Sequence, residues 1–297
     1  MTRNTSTPGE HAMKRHLKHL ALEGKSPYTI RRREQALSRL AKALPVPLLE
    51  ATPDMLYEWR AGLTNGNSTV ACYLSHVKMF FRWAADEGLI DVNPVTAVPV
   101  PKLPRRYPRP IPEKELMHAL ALTTHATPLR LMLVLGGWCG MRVEEVAGLR
   151  VENIRVHDTP PVVIIFGKGS KERIVELSPF VITEIAAARL PLSGYAFTDA
   201  QGQPFDPWFV SRMTREHLRG SGTKSTFHCL RHRFASQMYQ LTKDLRLVQE
   251  LMGHESQATT AKYAAFSRTG ATAAVASLPV PDNAIPAPGA LTGTEVA

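Results

Sequence analysis

Seven prolines stand between Pro94 and Pro112 in a chain of 297 residues. Proline has no backbone N–H to donate and its ring fixes φ, so no helix runs through such a stretch and the chain there is expected to be extended. Whatever lies before it and whatever lies after it must each bury a core of its own. The length suits two ordinary domains, and 44% hydrophobic residues are enough to fill two cores. The expected division is a domain at residues 1–96, a linker at 97–112, a second domain at 113–278, and a disordered tail at 279–297 where Pro, Ala and Gly dominate.

Charge follows the same division. Residues 1–110 hold 17 Lys and Arg against 9 Asp and Glu, and so carry most of the net +10 of the whole chain. An excess concentrated in one segment favours an anionic partner, nucleic acid before others. Arg31, Arg32 and Arg33 stand in a row, and Arg105, Arg106 and Arg109 alternate with the linker prolines. Both groups are expected to touch a phosphate backbone. The three cysteines, Cys72, Cys139 and Cys229, are too few and too widely spaced for a disulfide framework or a zinc-ligand pattern. A reducing, cytoplasmic setting is therefore the default. The polar N-terminus has no signal-peptide core, and no apolar run is long enough to span a membrane.

Periodicity organises the rest. HAMKRHLKHLALEGKS reads as an amphipathic helix with Met13, Leu17, Leu20 and Ala21 on its apolar stripe. YTIRRREQALSRLAKAL gives a second, with Ile30, Leu37, Leu40 and Leu44 inward. ATPDMLYEWRAGL starts a third at an expected Thr52 N-cap with Pro53 in the first turn. NSTVACYLSHVKMFFRWAADEGL makes a fourth, ended by Gly88. In the second domain EKELMHALALT, LRLMLVLGGWCG, MRVEEVAGLR, SPFVITEIAAARL and DPWFVSRMTREHL all read as helices. PPVVIIFGKGSKERIVELS, two β-branched runs around a Gly-Lys-Gly-Ser-Lys turn, reads as a β-hairpin. The fold class is mainly α with one small β-hairpin or sheet, α+β.

The segment from Thr226 to Phe266 gathers residue types suited to an anion. His228 and Arg231 lie three apart near the start of an expected helix, so they share a face. A helix start adds its own preference for negative charge. LRLVQELMG is a further helix capped by Gly253, His254 begins the turn after it, and Tyr263 follows in a helix with Ser256 as N-cap. Alone, each has a plain explanation: an HxxR pair on a helix surface, a glycine C-cap, a half-buried packing tyrosine. His228, His232 and His254 also invite a zinc reading, but Arg231 among them would repel a cation. His232 reads as a packing residue.

Together, in this order and spacing, the HxxR box, the Gly-His box and the tyrosine resemble the tyrosine recombinase family of phage integrases and Xer proteins. The resemblance extends upstream. LGGWCGMRVEEVAGL is similar to that family's TGxRxxE box and supplies Arg142 with Glu145 three residues on. FGKGSKER is similar to its GKGxKxR hairpin and points to Lys168, with Lys171 as a rival that the residues alone do not exclude. The similarity runs from about Glu113 to Phe266. The helical basic unit before it looks, more loosely, like the family's core-binding (SAM-like) domain.

What the resemblance implies is a chemistry that suits these residue types. A phosphodiester repels nucleophiles until its oxygens are neutralised, and Arg142 and Arg231 are bidentate donors that stay charged. Tyr263 is the expected nucleophile, forming a covalent phosphotyrosine. His228 is the expected base, His254 a hydrogen-bond donor to phosphate, Lys168 the general acid on the leaving 5′ oxygen, and Glu145 an orienter of the arginines. No cofactor and no metal are implied. The expected partner is double-stranded DNA with inverted half-sites, held by a homotetramer or a synapse shared with a paralogous recombinase, with no membrane involved. RTGATAAVASL is a candidate for a helix exchanged between neighbours. The short stretch before the first helix leaves no room for the arm-binding domain of larger phage integrases, so a Xer-like resolvase or a simple phage, island or transposon recombinase is expected. The alternatives are a type IB topoisomerase-like enzyme and a non-catalytic DNA-binding protein.

Overall fold

The computed structural model describes residues 8–104, 107–125, 127–167, 172–254 and 257–266. The chain divides into two compact units, Met1–Arg105 and Arg106–Ala297. Expectations for Arg105, Arg106, Lys168, Lys171, Ser256, the RTGATAAVASL segment and the tail fall outside the described residues.

The first unit is helical: α1 Pro8–Leu22, α2 Pro27–Ala43, a 3₁₀ turn at Leu48–Glu50, α3 Pro53–Ala61 and α4 Asn67–Asp86. Its helix starts follow side-chain chemistry. The Ser26 and Thr52 hydroxyls accept from the backbone N–H of Thr29 and Met55, and a proline opens each helix. Leu37, Leu40, Leu56, Leu74, Val77, Phe80 and Phe81 fill the core. Val95 and Val98 join it, so the Pro-rich segment is anchored on this unit as far as the second residue of the expected linker.

The inward face of α1 is Ala12, His16 and Leu20, while Ala21 is exposed. A polar pair sets that rotation. Arg33 lies on the inner stripe of α2 with Leu37 and Leu40 and is 7% exposed. Its Nε donates to His76 Nδ1 at 3.1 Å, and its Nη1 lies 3.1 Å from His16 Nε2. A buried guanidinium must find acceptors, and the His16 ring, packed against Phe80 and Trp83, supplies one. Arg33 is thus a packing residue rather than the phosphate contact its neighbours suggested, whereas Arg31 and Arg32 are exposed.

The second unit comprises α5 Glu113–Ala121, α6 Pro128–Trp138, α7 Val143–Ala147, a three-stranded sheet, α8 Pro179–Ala187, α9 Pro207–Gly220, α10 Phe227–Thr242, α11 Leu245–Met252 and α12 Gln257–Phe266. The sheet is antiparallel, in the order β1 Ile154–Arg155, β2 Val162–Phe166 and β3 Glu172–Glu176. β2 and β3 are the expected hairpin; β1, two residues long, is an addition that no periodicity announces. In the hairpin register Val163 faces Val175 and Ile165 faces Arg173. Side chains alternate along a strand, so Arg173 is carried to the same buried face as Val175. Helix α6 is the hydrophobic axis, with Leu131 to Leu135 fully buried. It packs against α10 closely enough that a Cβ on Gly136 would fall 2.8 Å from the Phe227 ring. Among the described residues no helix is long and apolar enough to cross a membrane.

Candidate active site

The site is built where the turn after α6, strand β3, helix α10 and the end of α11 meet. Gly140 turns the chain out of α6 with φ +60°, and a Cβ there would lie 2.4 Å from Phe234 Cδ1, so both conformation and space demand glycine. The turn delivers Arg142 to the N-cap of α7. Glu145, at the third position of that helix, accepts from the Arg142 backbone N–H at 2.7 Å and from Arg142 Nη1 at 2.7 Å. Arg173 reaches the same carboxylate from β3 with two parallel bonds, 2.7 and 2.6 Å, and donates from Nε to the Leu251 carbonyl at 2.9 Å. Burial alone would raise the Glu145 carboxyl; the bonds and charge of Arg173, joined by those of Arg142, bring it down to about 2.

Arg231 projects from α10 and is 2% exposed. Its guanidinium donates to the carbonyls of Gly140 and Met252, and its Nη1 lies 3.9 Å from Glu145. Burial, then the charges of Arg142 and Arg173, lower its pKa to about 9, which leaves it protonated at neutral pH. Arg142 Nη2 donates to the Gly253 carbonyl at 3.1 Å. Gly253 has φ +57° and ends α11, and a Cβ on it would press to 3.2 Å from Arg173 Cδ. Three guanidiniums thus share one carboxylate, and the surplus positive charge is the requirement for holding a phosphate.

The histidines and the tyrosine stand beside this cluster. His254 follows Gly253, and its Nδ1 lies 3.0 Å from Thr260 Oγ1 of α12. Its ring is nearly parallel to that of Tyr263, with centroids 6.4 Å apart. Burial and the arginines Arg231, Arg142 and Arg173 lower it to about 4. Tyr263 is 4% exposed, and burial outweighs the pull of Arg231 and Arg142 to raise its phenol to about 12. His228 lies in the first turn of α10, its edge against the His232 ring at 4.2 Å. Partial burial, then Arg231 and Arg142, lower its pKa. The phenol oxygen, however, sits 2.8 Å from His232 Nδ1.

The structure therefore brings Arg142, Glu145, Arg231, His254, Tyr263 and His228 into one region. It adds Arg173 and His232, for which the sequence carried signals. Arg173 is the final residue of the GKGxKxR pattern and faces the buried side of the hairpin. His232 lies four residues after His228, on the same helix face. No group of three or more His, Cys, Asp or Glu among the described residues is placed to hold a metal ion.

Comparison with known proteins bears on the same region. Residues 112–269 match the Phage integrase family, and residues 13–88 match the N-terminal SAM-like domain of phage integrases. Tyrosine recombinase XerD of Pseudomonas aeruginosa is 33% identical over 232 residues, covering 71% of this chain and 75% of XerD. Tyrosine recombinase XerA of Pyrococcus furiosus is 30% identical over 254 residues, 82% of this chain and 86% of XerA. In fold, the chain is similar to a lambda integrase tetramer bound to a Holliday junction, at TM-score 0.71 and 20% identity over 88% of this chain and 78% of that one. It is also similar to XerH recombinase in a post-cleavage complex with its palindromic difH substrate, at TM-score 0.68 and 20% identity over 92% and 86%.

Proposed function

Since this chain belongs to the phage integrase family, the tyrosine recombinases, we propose that it cuts and rejoins DNA at specific sites through a covalent 3′-phosphotyrosine. The observation that carries the reading is that Arg142 and Arg231, held together around the Gly253 turn, both act on the Tyr263 phenol of the same chain. Arg142 and Arg231 hold the non-bridging oxygens and offset the charge that grows in the transition state. His254 donates to the same phosphate. Tyr263 attacks phosphorus, a histidine of α10 receives its proton, and the 5′ oxygen leaves with a proton from Lys168. Glu145 keeps the arginines aligned. The phosphotyrosyl bond retains the energy of the phosphodiester, so a 5′ hydroxyl from another strand can reverse the step without a nucleotide cofactor.

The DNA partner is a duplex with inverted half-sites, one protomer on each, and two such pairs form a tetrameric synapse in the cytoplasm. The domains are taken as residues 1–96 and 113–278, joined by the basic linker at 97–112. Exposed Arg31 and Arg32 contact phosphates from the first domain, and Arg105, Arg106 and Arg109 from the linker.

Tyr263→Phe is the direct test. The variant should bind DNA as the wild type does and form no covalent adduct. A wild-type protein that forms no adduct with any DNA it binds would reduce the chain to a DNA-binding protein. Relaxation of supercoils without joining of two sites would favour the topoisomerase alternative.

A further inference from the structure

The Tyr263 oxygen has one hydrogen-bond partner among the described residues, and it is Nδ1 of His232. We infer that His232, rather than His228, is the catalytic residue that takes the phenol proton during cleavage and returns it during rejoining. This rests on the recombinase reading above and assigns to His232 a role that the family resemblance implied for His228.

The argument begins with reach. A base must stand about 2.6–3.2 Å from the atom whose proton it takes, and His232 Nδ1 stands at 2.8 Å. His228 is one helical turn earlier; its ring meets His232 edge-on at 4.2 Å instead of meeting the phenol. The base role requires one tautomer: with the phenol as donor, Nδ1 accepts and the ring proton resides on Nε2. The ring centroids of His232 and Tyr263 are 5.8 Å apart at 55°, an angle that lets the phenol point its O–H at the edge of the imidazole.

Electrostatics keep the acceptor free. His232 is faced by His228 and Arg231 from its own helix and by Lys262 and Tyr263 from α12. Burial, then His228, Arg231 and Lys262, lower it to about 4, so it is neutral and able to accept at neutral pH. A scissile phosphate beside Arg142 and Arg231 offsets that positive field and raises its basicity at the moment of attack. The phenol, held near 12 by burial, becomes acidic as its oxygen bonds to phosphorus.

The step balances. The Tyr263 oxygen forms the new O–P bond while its proton moves to His232 Nδ1. The bond from phosphorus to the 5′ oxygen breaks, its electron pair leaves with that oxygen, and the general acid protonates it. Rejoining runs the same transfers backwards, with protonated His232 returning its proton to the departing phenol.

Two measurements test this. Without DNA, the imidazole nitrogen resonances of His232 should report an unprotonated Nδ1 whose shift moves on Tyr263→Phe. An unmoved shift overturns the contact. With DNA, the probe is a set of duplexes enriched from a random-sequence pool by binding to the Tyr263→Phe protein, nicked at successive positions to trap the adduct. His232→Asn keeps an acceptor near the Nδ1 position but takes no proton, and His232→Phe keeps the ring. Both should bind these duplexes normally and form adduct about 100-fold more slowly. The wild-type rate should fall on acidification, and that fall should be absent in His232→Asn. A 5′-bridging sulfur at the mapped cleavage position, which leaves without a proton, should rescue Lys168→Ala but neither His232 variant. Wild-type cleavage by His232→Asn, or a slowed variant with an unchanged pH profile, overturns the inference while leaving the recombinase reading intact. Failure of the wild type to form any adduct overturns both.

Discussion

Arg142 and Arg173 bond the Glu145 carboxylate directly, and Arg231 stands 3.9 Å from it. Replacing that carboxylate leaves buried guanidiniums uncompensated, which costs more than the pair itself contributes. Glu145→Gln keeps the shape and removes the charge, and it should lower unfolding stability by roughly 3–5 kcal/mol in urea titrations. A loss under about 1 kcal/mol would mean that the arginines hold one another apart without it. At this scale the sequence was only partly legible. Arg142, Arg231, His254 and Tyr263 stood in recognisable boxes. Arg33 looked like its exposed neighbours Arg31 and Arg32, although it falls in line with Leu37 and Leu40 on the inner stripe of α2. His232 looked like packing because the identity of its partner, 31 residues away, depends on how α12 docks on α10. No local pattern encodes that docking.

Among elements, the turn between α6 and α7 sets the pocket more than either helix does. Gly140 occupies a left-handed conformation, its Cα faces the Phe234 ring, and its carbonyl accepts from Arg231. Gly140→Ala would force the ring or the turn to move and displace that carbonyl. Its thermal midpoint should drop with a loss of about 2 kcal/mol or more, and cleavage should fall further than stability does. An alanine variant that melts with the wild type would show that the turn has slack. Helices and the hairpin were readable from their apolar periods, and the Thr52 cap from its position before a proline. Strand β1 was not, because two residues carry no period. The stripe of α1 keeps Leu20, but Ala21 is outside it and His16 turns inward to meet Arg33.

Across the whole molecule, acid and base act on both units in a way the individual groups dictate. His16 in the first unit and His232 and His254 in the second are lowered from 6.5 to about 4. Burial is the first cause in each. The unfolded chain therefore protonates first, and the stability these groups confer is full above about pH 6.5 and lost as pH falls toward 4. Glu145, lowered to about 2, extends the loss in the second unit from about pH 4.5 downward. Tyr263, raised to about 12, contributes below about pH 10 and loses its contribution as pH climbs beyond it. Unfolding midpoints should decline as pH falls from about 6.5 toward 4. A flat profile from neutrality down to about pH 4.5 would contradict the burial of these histidines. The division into two units was legible from the prolines alone, since no helix crosses them. What the prolines did not reveal is that Val98 belongs to the first core and Ile111 to the second, because an isolated apolar residue in an extended segment has no periodic partner.

The grip on Arg231 has a consequence for how this protein tolerates change. Its guanidinium is held by the main-chain carbonyls of Gly140 and Met252. A carbonyl is present whatever the side chain, so Met252 can drift to any residue that fills its volume without altering the arginine's aim. The pocket is insulated from point changes at that wall and exposed to anything that reroutes the backbone, such as an insertion or deletion in the Gly253 turn. Diversity in this stretch of the chain is therefore expected as substitution, not as change of length.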